Sequence, residues 1–424
     1  MVMPALILEV GFTAGADTGT YLHLNDAARG KLDTNTLAPN DVLTDVTAYL
    51  QEVATERTSS RMAGPLVRYE AGHLSARLNN TDRRFDPTNL SGPYVAAGVT
   101  QVEPMRVVRL RATWAGITYE LWRGFADSWL PGYEKGDLYA DMSLAATDGF
   151  KVLASYDRPA VGAVGAGENT SARVNRILDS VAWPAGDRLV ANGDTTVQAT
   201  TLADDALTEL QLVAETEAGE LYMDEAGRVF FRGRHGLLEE ARSNTSQATF
   251  GDTGAELPYF GISPSYDEEQ IFNLARVTRA GGVEQVASNA ASRAKYLTHT
   301  YTPSSDLLMQ SDPAALNYAN YVVALAKDAE YRFDALVINP QVDPANLFPQ
   351  VLGRRIGDRI TVRRRPPGGG LIERDVFIVG ISHAAVAESD EWLTTWQLQS
   401  ASKTAYLILN HATLGKLDQN ALAY

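Results

Sequence analysis

Two hydrophobic periods divide this chain. Alternation of apolar and polar residues marks half-buried strands, as where Leu74, Ala76 and Leu78 are separated by Ser75 and Arg77. The runs 107–114 and 117–122 flank Ala115-Gly116 and predict a hairpin, and 138–144 alternates again. Residues 42–153 are therefore expected to be mostly strand, in a small barrel or sandwich. A small, glycine-rich linker is expected at 161–167, after which the period lengthens to that of a helix. Ser171 is expected to cap a helix over 173–181, with Val174, Ile177, Leu178 and Val181 on one face and a stop before Trp183-Pro184. A second helix, 203–217, lines up Ala206, Leu207, Leu210, Val213 and Ala214. Residues 220–224 and 228–232 then form a hairpin across Glu225-Ala226-Gly227.

Strand signals return from about 265. Strands are expected at 272–279 and 334–339, with a helix over 312–330 started by Asp312-Pro313. Residues 358–362 meet 375–379 across Pro366-Pro367-Gly368-Gly369-Gly370, and 392–398 closes the set. The expected fold class is mainly β with a smaller α+β insertion: two small β-barrel domains plus extended terminal arms. The divisions are a strand and arm at 1–40, a first barrel at 41–160, an α+β domain at 161–262, a second barrel with inserted helix at 263–403, and an arm at 404–424.

The arms are near-copies of each other. Segments 21–38 and 406–423 agree at 12 of 18 positions. The candidate docking residues are Tyr21, Leu22, Leu24, Asn25, Gly30, Leu32, Asp33, Asn35 and Leu37 in the first copy. In the second they are Tyr406, Leu407, Leu409, Asn410, Gly415, Leu417, Asp418, Asn420 and Leu422. Each copy is too short for a domain, so each is expected to lie on something else, as a strand added to a neighbour's sheet edge.

With 424 residues, 45% of them hydrophobic, the chain can bury more than one core. A net charge of −15 argues against a surface that grips nucleic acid, which needs excess Lys and Arg. It is compatible with a lumen through which nucleic acid passes. The absence of cysteine excludes disulfides and thiolate ligands. The apolar start lacks the basic flank and cleavage site of a signal peptide, and no apolar run approaches the roughly 20 residues that cross a bilayer. No membrane anchor is expected.

Candidate chemistry is sparse. His23, His73, His235, His299, His383 and His411 are scattered without metal-ligand spacing and read as surface or strand-face residues. Nucleophile elbow, phosphate loop and zinc-protease signatures are missing, and Gly162 to Gly167 have the wrong spacing for a dinucleotide loop. Asp204-Asp205 reads as a helix start, Glu215 with Glu217 as a solvated helix face, and Asp267-Glu268-Glu269 as a loop. The pairs Asp33/Asn35 and Asp418/Asn420 lack the glycine and glutamate of a calcium loop. No catalytic residue, cofactor or metal is expected. The basic clusters Arg83-Arg84 and Arg363-Arg364-Arg365 suit a strand edge, or pairing with a neighbour's acidic surface. A second reading is carbohydrate recognition at a host surface, with Trp114, Trp122, Trp129, Trp392 and Trp396 stacking on sugars.

Residues 72–93 resemble a segment of phage minor tail proteins: Gly72, then Leu78-Asn79-Asn80, then the turn Asp82-Arg83-Arg84-Phe85-Asp86-Pro87. Segments 45–50, 173–184, 217–231 and 356–398 look similar in the same order, and 416–424 is similar to the tails of minor tail proteins of long-tailed actinobacteriophages. The resemblance implies a tail-tip or baseplate hub: a homotrimer in which two hub-type barrels per subunit adapt a six-fold tube to three-fold tip components. Implied partners are the tail tube or distal tail protein, the tape measure protein and downstream tip or receptor-binding proteins. Genomic DNA would be met only in transit, and the implied location is the virion's tail tip. Phe85 is expected to pin the turn to the core. The chain stops after the second barrel and arm, so no wall-cleaving activity is expected.

Overall fold

A computed structural model of the chain describes residues 3–12, 43–60, 66–96, 98–133, 140–155 and 161–401. Both docking-arm repeats lie outside the described residues. In the first β zone the strands are β1 (Ala5–Val10), β2 (Leu50–Arg57), β3 (His73–Asn79), β4 (Val107–Trp114), β5 (Ile117–Tyr133) and β6 (Ala140–Thr147). The period-two pattern is realised literally in β3: Leu74, Ala76 and Leu78 are buried while the residues between them face out. The β4–β5 hairpin turns at Ala115 and Gly116, both with positive φ (49° and 81°), the signature of a type I′ turn.

The middle region holds α1 (Thr170–Ser180), α2 (Ala206–Glu217) and the hairpin β7 (Glu220–Met223) with β8 (Val229–Arg232). The helices pack through Val174, Ile177, Leu178, Leu210 and Val213 onto Leu221 and Phe231, in a core of their own. The cap of α1 is Asn169, not Ser171: its side chain accepts from Ala172 N at 2.9 Å, so the helix begins earlier than the spacing of apolar residues suggests. Part of the 161–167 linker is a short strand, Val161–Val164, paired with Thr200–Leu202.

The second β zone comprises β9 (Gly261–Ser265), β10 (Arg332–Ile338), β11 (Arg359–Arg364), β12 (Ile372–Val386) and β13 (Glu391–Ser400), with helices α3 (Asp312–Ala326) and α4 (Pro344–Gly353). Helix α3 packs Tyr318, Ala319 and Val322 against the strands Leu274–Val277 and Gln285–Ser288, forming a third core. Helix α4 belongs instead to the main core, where Phe348 meets Trp114 of the first zone and Trp392 of the second at ring distances of 4.6 and 6.0 Å. The two β zones therefore share one core. They also share one hydrogen-bonded ladder of 14 strands, because β2 pairs antiparallel with β12. The fold is mainly β with an α+β insertion, as the periodicities predict. No helix among the described residues is long and apolar enough to cross a membrane.

Candidate assembly interface

Five of the six strands of the first β zone are repeated, one for one, in the second. In chain order the first runs β2, β3, β4, β5, β6 and the second β9, β10, β11, β12, β13. In the sheet the first is ordered β4-β5-β6-β3-β2 and the second β11-β12-β13-β10-β9, every neighbour antiparallel. One irregularity is shared at the same place in both. The β5–β6 register shifts between Ala126 and Ser128, and the β12–β13 register between Ile378 and Gly380.

The units join where β2, the last sheet position of the first, meets the second half of β12. There Ala54 faces Ala384, Thr55 faces His383 and Val53 faces Ala385. On the exposed face a lateral row of small side chains crosses the joint: Ser128, Ala145, Ser75, Ala54 and Ala384, ending at Leu393. Short side chains leave shallow depressions of about 360 and 280 Å³ along this row. The exposed carboxylates Glu52 and Glu56 flank it.

Beneath the joint lies a buried polar seam. Arg57, at the end of β2, is buried with its Nη1 3.5 Å from Glu225 Oε2 in the β7–β8 turn, and Arg355 Nε reaches Glu225 Oε1 at 2.7 Å. Asp148 accepts from Gly72 N at 2.6 Å and Phe150 N at 3.0 Å. Burial pushes its carboxyl up to about 7, against the pull of those N–H groups and Arg57. His383 is buried rather than on a surface, and burial, aided by Arg57, pushes its imidazole down to about 3, so it stays neutral. Its Nδ1 lies 3.0 Å from Thr394 Oγ1. Fully buried Arg232 donates to Glu220 (2.6 Å) and Glu240 (2.8 Å). Gly357, at φ 91°, leaves room for it: a Cβ there would collide with the guanidinium. Buried ion pairs add less stability than they cost to break, and these tie three regions into one geometry.

The turn 82–87 follows β3. Phe85 is fully buried among Tyr49, Tyr94 and Trp129, with ring centroids 5.6, 5.6 and 6.1 Å away. Its N–H donates to the buried Asn80 Oδ1 at 2.9 Å. Asp86 is the polar centre. Its Oδ1 accepts from Thr88 N (2.8 Å) and Thr88 Oγ1 (2.6 Å), and its Oδ2 accepts from Arg83 Nη2 (2.7 Å) and Tyr133 Oη (3.0 Å). Burial opposes ionisation of Asp86, but the bonds from Thr88, Arg83 and Tyr133 outweigh it and hold the carboxyl well below the usual range. Arg83 takes φ 57° to make its contact. Arg84 pairs with Asp82 at 2.7 Å and lies 3.7 Å above the Tyr49 ring. Pro87 follows Asp86 where the chain turns away from β3. Because Tyr133 ends β5, Asp86 fixes the far end of that strand.

Other candidate residues settle into structural contacts. Asp205 caps α2, accepting from Thr208 N at 2.9 Å, as its helix-start reading implies. Glu217 is fully buried rather than solvated, accepting from Thr170 Oγ1 (2.6 Å) and Thr195 N (2.8 Å), because its side of α2 faces the α1 turn. Asp267 holds the buried Arg332 at 2.8 Å. The cluster Arg363-Arg364-Arg365 finds partners inside the chain: Glu256 takes Arg365 at 2.8 Å, Asp252 takes Arg365 at 2.7 Å, and Glu373 takes Arg363 at 2.5 Å. Hydrogen bonding from Arg365 pulls Glu256 down to about 2. Trp122, Trp129, Trp392 and Trp396 are buried and Trp114 packs on Phe348, so these indoles fill cores instead of presenting faces to sugars. Among the described residues no group of three or more His, Asp or Glu could hold a metal ion. The resemblance implies two related units per chain; their common strand order and register come from the structure, because the corresponding positions share few side chains.

The fold is similar to that of two tail proteins of known structure. The tail protein from Neisseria meningitidis MC58 is 12% identical, with 94% of this chain and 97% of that one covered at a TM-score of 0.58. The 43 kDa tail protein of prophage MuSo2 from Shewanella oneidensis is also 12% identical, with 95% and 98% covered at a TM-score of 0.54. No family model matches the chain, and no curated protein matches it in sequence.

Proposed function

We propose that the chain is a structural, non-enzymatic component of a phage tail: a hub at the tail tip, assembled as a ring of three copies. The observation that carries this reading is the duplicated five-strand unit. Three chains present six equivalent units, which suits a six-fold tube on one side while the rest of each chain keeps three-fold order for tip components. Partners on this reading are further copies of the chain, the tail tube or distal tail protein, the tape measure protein and downstream tip or receptor-binding proteins. The row of small side chains is flanked by Glu52 and Glu56, and the exposed Arg77 beside it is paired with Asp141, so the row offers genomic DNA in transit little to grip. The repeated segments 21–38 and 406–423 act as docking arms on neighbours. They carry one recognition sequence on two tethers, the first leaving after β1 and the second after β13.

Native mass spectrometry of the isolated tail tip tests the ring. Copies in a multiple of three are expected; any other stoichiometry overturns it. Deleting residues 404–424 is expected to leave the body folded and block tail assembly, and normal infectious particles would overturn the role given to the arms.

A further inference from the structure

We propose that neighbouring copies join edge to edge, β9 of one chain against the second half of β5 of the next, by the rule that already joins the two units within a chain. The inference rests on the ring reading above and names the surface that closes it.

The intrachain joint uses two edges: the outer edge of β2 and the second half of β12. The equivalent edges are β9 in the second unit and residues 127–133 of β5 in the first. Among the described residues, β9 pairs only with β10, and the second half of β5 pairs only with β6. Each chain thus carries one used joint and two unused halves of the same joint, at opposite ends of one sheet. Such a head-to-tail contact repeats from copy to copy and closes into a ring when its rotation allows.

The register follows from the ladder. Ser263 occupies the position of Ala54, since each lies opposite the matching residue of the next strand (Ala335 and Ser75). Gly132 occupies the position of Ala384 and Tyr133 that of Ala385, counted from the shared bulge. Ser263 therefore faces Gly132, and Ile262 faces Tyr133. A side chain on Gly132 would meet only Asp141 O, 3.9 Å away, so the sheet face above it is open to a side chain placed there. Leu130, 62% exposed on the face of Gly132, and Tyr133, 59% exposed on the opposite face, are apolar side chains that the joint would partly cover, one on each side of the sheet. The bond from Tyr133 to Asp86 gives the 82–87 turn a purpose, holding this edge in position.

Pro131 and Pro264 stand where His383 and Thr55 stand in the intrachain joint. Neither has an N–H, so the interchain joint carries fewer hydrogen bonds than its intrachain counterpart. A weak single joint that holds only when the ring shares it is the expected result.

The natural chain has no cysteine, which makes the register testable. Facing residues on paired strands lie within disulfide reach. Full-length Gly132→Cys/Ser263→Cys is oxidised at the concentration where native mass spectrometry reads three copies. Tyr133→Cys/Ile262→Cys provides a second pair, and circular dichroism of each variant checks folding. Covalent dimers and trimers that reductant dissolves are expected from both pairs. An equimolar mixture of the single variants Gly132→Cys and Ser263→Cys should stop at dimers. Three copies without a covalent link through either pair overturns this joint and leaves the ring standing. A stoichiometry that is not a multiple of three overturns the ring, and the joint with it.

Discussion

Phe85→Ala tests whether the 82–87 turn is pinned by its aromatic ring. Phe85 has no exposed surface, and its truncation leaves a cavity among Tyr49, Tyr94 and Trp129. Phe→Ala changes in cores cost about 3–5 kcal/mol, and each aromatic pair adds about 0.5–1.5 kcal/mol beyond area. Three ring partners put the expected loss near the top of that range, about 4–5 kcal/mol. Phe85→Leu keeps most of the volume and should cost about 1–2 kcal/mol. The assay is urea unfolding of the full chain followed by circular dichroism, with both variants beside the parent. Because the ring also positions Asp86, and Asp86 holds Tyr133, Phe85→Ala should weaken ring formation more than its stability loss alone predicts. A loss below about 1.5 kcal/mol for Phe85→Ala would refute the pinning argument, since a surface-like aromatic gives such a value.

Two further outcomes are expected. Leu297 sits at φ 65°, ψ −168°, a region open almost only to glycine, while its side chain is 77% exposed and its carbonyl is held by the buried Asn273 at 2.7 Å. Leu297→Gly should therefore raise stability by about 1 kcal/mol in thermal or urea unfolding, and an unchanged or lower stability would count against strain at that site. For Asp148, a folded value raised to about 7 from the ordinary carboxylate range near 4 means the folded state prefers the protonated form. The penalty is absent below about pH 4, grows as pH rises, and is complete above about pH 7, reaching at most about 4 kcal/mol. Asp148→Asn should flatten the stability–pH curve across that window, and an unchanged slope would show that Asp148 titrates normally.

Much of the fold is legible in local pattern. The alternation in β3, the Ala115-Gly116 turn and the apolar face of α2 each depend on neighbours in sequence, and all appear where the periods put them. The bonds of the turn 82–87 are likewise local: Asp86 bonds with Arg83 and Thr88, close by in the chain. The errors fall where a residue answers to something distant. Glu217 looks solvated because its helix face is polar, yet Thr170 and Thr195 reach it from elsewhere in the chain. The arginines at 363–365 look free for a neighbour, yet Asp252 and Glu256 lie against them.

From the sequence alone came the classes of element, their order and the repeated ends, since these rest on side-chain chemistry and short-range periodicity. Tertiary structure alone decided the strand order that the two β zones have in common and that they share a core and a ladder. Strand pairing is made by backbone N–H and C=O groups, which are the same for every residue but proline. Two units with dissimilar side chains can therefore follow one topology, and only the folded chain reveals which of their edges remain open.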